Sequence, residues 1–526
     1  MKQSQSFMIK LPHPVCCHNT HWTPVSFINH SRIDNFMVSS LVELKCVPSI
    51  DPWEIAVRFE KRLSAKQRKK LGQFYTAKPI VKYIFDVLEI KKGSRVLDPT
   101  CGCGVFLAEA MQRIGKSANI HGIDINNDAV QMTRAILSGI AEKKIGSTII
   151  NKNAIVQKKS DADWWNSSGG FDYIVGNPPF VTLTADEYDP SYYEDIITGN
   201  TNAASLIVAQ SLNQLRPEGT FAFVLPKTML RVASYEKLRA LILENTILRI
   251  CDLGRCFPDV RGEQIILFVQ KKAPAADHEF VLHTPKSLAM SETVLVPQRL
   301  LSKSGFLLLS PQHHHLIEKI KSVGKPLALQ AHIFRGISSP AKNIGKKGVP
   351  ILRGKDIQKD TITQSTFVKT QLNNGKAAAL LSKKIVVQNI FSTEAGLIAA
   401  MDEKGVLTLD TVTNIMTSDK FVYGLLRSNI LNYYLIYGIY NNSRLTMHAD
   451  STYLGQLPIP STDEKSKKRM IELVSMLLKK PNDSMILRKI DVLAAKMYGL
   501  TEAECVFVND ALRQTLSKKS AARLEQ

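Results

Sequence analysis

Phe171–Phe180 reads FDYIVGNPPF. Its first half is an apolar run with β-branched and aromatic residues (Phe171, Tyr173, Ile174, Val175), which predicts a buried strand ended by Gly176. Two prolines then fix φ and remove two backbone donors, so the loop is stiff and offers carbonyl groups only. Asn177 adds a side-chain carbonyl and Phe180 a flat apolar face. Such a corner can accept hydrogen bonds from an exocyclic amino group while a ring stacks on the heterocycle carrying it. Taken alone, NPP reads first as a proline-stiffened turn after a core strand. The segments around it reverse that order.

Upstream, Arg95–Phe106 reads RVLDPTCGCGVF, a short apolar strand running into a glycine turn and then a helix. Gly102 and Gly104 let a backbone approach a ligand closely. The spacing is not GxGxxG, and no lysine follows to hold phosphates. Cys101 and Cys103 read as small packing groups. The next strand, His121–Ile125, carries Asp124 at its carboxyl end, about twenty residues beyond the glycines, where a carboxylate can bind both ribose hydroxyls. Asp124 could otherwise cap the helix predicted over Asn126–Gly139. A third strand, Thr148–Asn151, leads to Asn153. Before all of these stands Gly72–Thr76, GQFYT, ahead of a helix with Pro79 near its first turn.

In this order the segments resemble S-adenosylmethionine-dependent amino-methyltransferases. The wider chain, roughly Leu71 to Leu500, is similar to the gamma group of N6-adenine DNA methyltransferases of restriction–modification systems. NPPF resembles their catalytic loop, DPTCGCG their motif I and GQFYT their motif X. The resemblance implies S-adenosyl-L-methionine as cofactor. Phe74, Tyr75 and Thr76 would cover its methionine end, Asp98, Pro99, Thr100, Gly102 and Gly104 would form the turn against it, and Asp124 would take the ribose. Where the family usually has an Asp for the cofactor adenine, the matching position is Asn153, with Asp161 and Asp163 as other candidates. Asn177, Pro178, Pro179 and Phe180 would act on a flipped target base, the first two by accepting from its amino group and Phe180 by stacking. Strands over Leu248–Leu253 and Gln264–Gln270 resemble the family's closing hairpin. Phe257, between them, matches a second base-stacking aromatic or is a core turn residue. Val181–Asn200, polar and tyrosine-rich, is expected to be a mobile loop over the substrate.

A chain of 526 residues suggests two or three domains. The formal charge of +21 points to a polyanionic partner, most simply nucleic acid. Eight scattered cysteines suit a reducing cytoplasm better than a disulfide framework, and no bilayer-length apolar run or signal peptide is evident. No metal site is expected. Cys16, Cys17 and His18 lack a second pair at zinc spacing, and His313–His315 reads as a solvated helix start. Asp34 with Glu43-Leu44-Lys45 is faintly nuclease-like, but a nuclease core needs a sheet of its own.

The expected fold is α/β: residues 1–50 an extension of unclear role, 51–275 a Rossmann-like methyltransferase domain with a mixed sheet, 276–310 a linker, and 311–526 an α+β target-recognition domain. Within the last, RGI, LRGKDI, LRSNILNYY and YLGQLPIP resemble the family's recognition domain, and Arg335, Arg353 and Lys355 are the expected DNA contacts. The resemblance implies a monomer acting on double-stranded DNA, with room for a separate cognate restriction endonuclease. An RNA or protein-glutamine N-methyltransferase, or a non-catalytic DNA-binding specificity subunit, would use some of the same features.

Overall fold

A computed structural model describes residues 51, 53–55, 57, 76–115, 119–158, 169–197, 201–256, 262–287, 290–338, 343–369 and 375–517. Phe74, Tyr75, Asp161, Asp163, Phe257 and the N-terminal segment lie outside them. The chain divides into two compact units, Met1–Gly305 and Phe306–Gln526.

The first unit is built on β1 (Arg95–Asp98), β2 (Asn119–Asp124), β3 (Ile149–Asn151), β4 (Phe171–Gly176), β7 (Leu215–Pro226), β8 (Thr246–Gly254), β9 (Gln264–Gln270), β10 (Glu279–Ser287) and β11 (Met290–Pro297). The small hairpin β5 (Thr182–Leu183) and β6 (Thr201–Asn202) stands apart. The nine strands form one sheet in the order β11-β10-β8-β9-β7-β4-β1-β2-β3. The five strands from β3 to β7 pair in parallel, and β9 runs antiparallel to both neighbours. β9 is covered on both faces and so reads as a continuous apolar run instead of alternating.

Three helices cover one face. In α1 (Lys78–Leu88) the stripe Ile80, Val81, Ile84 and Phe85 is buried, and the left-handed Glu89 stops the helix. α2 (Val105–Ile114) is buried nearly all round, consistent with a helix wedged between the sheet and its neighbours. α3 (Asn127–Ala141) starts at Asn126, whose side-chain oxygen accepts from the amides of Asp128 and Ala129. These helices and the strand residues Val96, Ile120, Ile149 and Val175 share one core.

The 276–310 stretch, expected as a linker, differs in the structure. β10 pairs in parallel with β8 and β11 closes the edge, so the sheet continues to Pro297 and the units divide after Gly305. The prolines and histidines there obscured a short period-two signal: Phe280 and Leu282 are buried either side of half-buried Val281.

The loop after NPPF is likewise not open. Tyr193 accepts from the Val156 amide at 3.0 Å, Asp189 donates to the Val156 carbonyl at 2.9 Å, and Tyr192 donates to Gln210 at 2.8 Å. Tyr188 and Tyr193 are buried. Hydroxyl contacts to distant segments hold this loop, which no local periodicity could announce.

The second unit joins strands to a helical end. Ile333–Arg335, Val412–Ile415, Lys384–Gln388 and Ala399–Asp402 form a four-stranded antiparallel sheet in that order. Helices Pro311–Val323, Lys420–Arg427, Glu464–Lys479, Ser484–Met497 and Glu502–Thr515 share the largest core with it, through Ile317, Ile320, Tyr423, Leu426, Leu473, Leu477, Ile490 and Leu512. The histidine triplet is not a solvated helix start. His313 stacks on Tyr437 with ring centroids 4.6 Å apart, and its Nδ1 lies 2.6 Å from the Tyr433 hydroxyl. His314 is buried against the Leu307 carbonyl, and only His315 is exposed.

Burial holds the His313 pKa down at about 4, against an ordinary value of 6.5. The unfolded chain therefore binds more protons between pH 6.5 and 4, so stability is full above 6.5 and is lost as pH falls, by at most ~3 kcal/mol from this residue. His313→Phe keeps the stack and removes the titration. Urea melts of the two proteins across pH 4–7 should show a flatter acid limb in the variant, and parallel limbs would refute the assignment.

Candidate active site

Along the sheet the chain steps from β1 to β2 to β3, then crosses back to place β4 on the other side of β1. Ligands in such sheets bind beyond the carboxyl ends of the strands where the order reverses. Here that point lies between β1 and β4, and it is where DPTCGCG and NPPF emerge.

The turn after β1 is tied to β2 by backbone bonds: the Cys101 amide donates to Ile123 at 2.7 Å and the Gly104 amide to Cys101 at 2.7 Å. Gly104 lies in the left-handed region, φ +76°, and a Cβ there would meet Thr133 at 2.7 Å. Thr133 in turn donates to the Gly102 carbonyl at 2.7 Å. Asp124 accepts from the Gly102 amide on one oxygen and from the Asn126 amide on the other, both at 2.8 Å. The helix that follows is capped by Asn126, so the capping role considered for Asp124 goes to its neighbour. Asn151 donates to the carbonyls of Asp124 and Ile125, fixing the end of β2. Asn153 accepts from the Ile155 amide at 3.0 Å, a local turn at the end of β3.

The electrostatics are acidic. Asp98 is fully buried, and burial raises its pKa well above the ordinary carboxylate value, against the one amide bond from Thr100. Burial also raises Asp124, opposed by its two amide bonds. Burial pushes the Cys101 thiol well up, so it stays protonated and non-nucleophilic at neutral pH. Buried Thr100 Oγ1 has no hydrogen-bond partner, and nothing lies within 4 Å of where a Cβ on Gly102 would stand. A ligand with ribose hydroxyls and positive charge fits this cradle: an open glycine surface, an orphaned hydroxyl and two buried carboxyls. Ile125, missed in the sequence, is 62% exposed beside Asp124. An apolar side chain in that place suits the face of a ring. Its only sequence signal was its position after the acidic strand end.

Across the switch point, Gly176 lets β4 pass close to β1, since a Cβ there would stand 2.7 Å from Asp98 Oδ1. Asn177 and Phe180 are half-buried and Pro178 is buried. Asn177 Nδ2 donates to Thr76 Oγ1 at 3.1 Å, joining the NPPF loop to the end of GQFYT. The structure thus brings Thr76, Asp98–Gly104, Asp124 and Asn177–Phe180 to one edge, with Asn153 at the end of the neighbouring strand.

Next to that edge, Lys227, just past β7, bonds Asp252 at 2.7 Å and lies 3.5 Å from Glu263. Gln264 holds Cys256 and Gly262. The roots of the 257–261 segment are therefore braced.

In the second unit, Arg335 and the backbone between Arg353 and Lys355 border the turn Leu409–Thr411. Arg335 Nε donates to the Asp410 carbonyl at 3.0 Å, and the Gly354 amide donates to Thr411 Oγ1 at 3.1 Å. Arg335 and Lys355 are exposed and Arg353 half-buried.

Sheet order and glycine turn define a Rossmann-like methyltransferase fold with a mixed sheet. Residues 59–295 match the N-6 DNA Methylase family model, and residues 349–459 match the TaqI-like C-terminal specificity domain. The chain is 30% identical over 257 residues to the Type II methyltransferase M.VspI of Vibrio sp. (strain 343), covering 48% of this chain and 59% of that protein. It is 29% identical over 205 residues to the modification methylase CviBIII of Paramecium bursaria Chlorella virus NC1A, covering 37% and 48%. The chain thus spans about half the length of these curated relatives. Among solved structures, the Type IIL restriction-modification enzyme MmeI, in complex with DNA, superposes with a TM-score of 0.62 at 13% identity, over 89% of this chain and 82% of that one. The architecture is a methyltransferase domain with a mixed sheet followed by a C-terminal specificity domain.

Proposed function

We propose that this chain is a site-specific DNA methyltransferase of the gamma group, transferring a methyl group from S-adenosyl-L-methionine to the N6 amino group of adenine in double-stranded DNA, as the modification enzyme of a restriction–modification system. The observation that carries the reading is the pairing of an acidic, glycine-lined cradle at the end of β1 and β2 with a proline-stiffened NPPF loop at the end of β4.

When bound, the cofactor supplies an electrophilic methyl group on a cationic sulfonium. Asp124 would hold its ribose, Asp98 to Gly104 and Thr76 its methionine end, and Ile125 and Asn153 its adenine. The adenine amino group of the substrate is a poor nucleophile because its lone pair is delocalised into the ring. Asn177 Oδ1 and the Pro178 carbonyl would accept its two hydrogens, turn the lone pair toward the methyl group and stabilise the positive charge that develops. Phe180, with Phe257 as a second aromatic, would stack on the base once it has left the duplex. In-line transfer needs no covalent nucleophile, in keeping with protonated Cys101. Arg335, Arg353 and Lys355 would meet the duplex from the specificity domain. The nuclease partner would be a separate chain, and the enzyme would act as a monomer.

An RNA or protein-glutamine substrate would suit the NPPF loop alone. The match of residues 349–459 to a specificity domain favours DNA. Modification-sensitive sequencing of DNA from a host expressing this chain should show N6-methyladenine at one short motif. Unmodified DNA alongside methylated RNA or glutamine would overturn the reading. DNA affinity should also fall with salt, each phosphate contact adding roughly −0.9 to the slope of log K against log salt. A flat response would remove DNA as partner.

A further inference from the structure

Thr76 immediately precedes α1 and is 3% exposed. Its hydroxyl oxygen receives Asn177 Nδ2 at 3.1 Å across 101 positions of chain. An amide has one donor end and one acceptor end, and a half-turn about its last torsion exchanges them. Only one of the two orientations serves the function proposed above, on which this inference rests. With Oδ1 toward the substrate amino group, Asn177 accepts. With Nδ2 toward it, two donors face each other and the lone pair is not directed. The prolines that follow contribute no N–H with which to discriminate between the ends.

We infer that Thr76 is a positioning residue that anchors the Asn177 amide with its carbonyl end turned away from α1. By accepting from Nδ2, its oxygen points the carbonyl end of the planar group away from α1. The assignment gives Thr76 a duty separable from cofactor contact. Loss of a cofactor contact weakens cofactor binding, whereas loss of amide orientation lowers kcat and leaves cofactor affinity alone. Threonine suits the task because its methyl group packs in the buried position while its oxygen accepts. Valine has the same shape and no acceptor, and serine keeps the acceptor at the cost of the methyl group.

The test compares full-length wild type, Thr76→Val and Thr76→Ser for cofactor Kd by calorimetry and for single-turnover transfer to DNA carrying the recognition motif. Thr76→Val is expected to lower kcat at saturating cofactor about 10–100-fold, the cost of a misplaced reacting group, a loss well beyond any weakening of cofactor binding. Thr76→Ser should restore most of the rate. Wild-type turnover by Thr76→Val, a Thr76→Ser no faster than Thr76→Val, or a rate loss matched by loss of cofactor affinity would each overturn the inference. Thr76→Ala, with the methyl group also removed, serves the same comparison should the valine variant not fold. A wild-type protein that transfers nothing to DNA would instead remove the proposed function.

Discussion

Asn177→Ala is expected to abolish methyl transfer, by about 10²–10³-fold or more, while the protein still folds and binds its cofactor. Removing one preorganised hydrogen-bonding group from a site where charge develops costs about that much. The side chain is half-buried at the loop and donates to Thr76 Oγ1, a bond whose loss costs stability by about 1 kcal/mol. Pro178 would still offer a carbonyl, but one acceptor leaves the second amino hydrogen and the direction of the lone pair uncontrolled. The cofactor cradle is built on Gly102, Asp124 and Asn126, none of which bonds to Asn177. Single-turnover kinetics beside calorimetric cofactor binding separates the two effects. Retained transfer would take Asn177 out of the chemistry, and lost cofactor binding would move it into the cradle.

The second large effect concerns stability. Arg427 meets Asp360 in a bidentate pair, Nε to Oδ1 at 2.5 Å and Nη2 to Oδ2 at 2.9 Å, with both residues buried. Tyr423 donates to the same carboxylate at 2.7 Å and the Asn482 amide at 3.2 Å. Burial opposes ionisation of Asp360, yet the bonds from Arg427 and Tyr423 outweigh it and hold the pKa below the ordinary value. Arg427→Met removes the cation and leaves a buried carboxylate. The expected loss is about 3–5 kcal/mol, because an uncompensated charge costs more than the pair contributed. A lowered folded-state pKa means stability that is present above the unfolded value and is lost as pH falls through the folded one. The wild type should therefore lose this contribution on acidification. In Arg427→Met the carboxyl would prefer its proton, so that variant should lose less on going to low pH. Urea melts at pH 7, pH 4 and pH 2.5 test both statements, the wild-type loss falling below pH 4, and a loss below ~1 kcal/mol at pH 7 would show the pair to be replaceable.

Much of the first unit was legible because its signals are local. The strand ending at Gly176, the strand–turn–helix from Arg95, and the helix starting near Asn126 each follow from burial period, glycine and capping chemistry within about ten residues. The positions of Asp98, Asp124 and Asn177 at strand ends were readable for the same reason. Errors came where order depends on partners far along the chain. β10 and β11 looked like a linker because an edge strand containing prolines and histidines carries a weak period. The tyrosines of Val181–Asn200 looked unpartnered because Val156 and Gln210, which Tyr193 and Tyr192 bond, lie on other segments. His313 looked solvated because Tyr433 and Tyr437, which stack on it, and Phe507, which meets it edge-on, come from later helices.

By itself, then, the order of amino acids determined the α/β class, the strand ends on which Asp98, Asp124 and Asn177 stand, and a loop stiffened by two prolines. Which strand lies beside which was decided only in three dimensions, and with it the convergence of the ends of β1 and β4 at one switch point. The bond from Asn177 to Thr76 and the pinning of Asp124 by Gly102 were decided there too. The reason is physical: backbone propensity and side-chain period act over a few residues, whereas these contacts form only once a shared core has brought together segments tens to hundreds of residues apart.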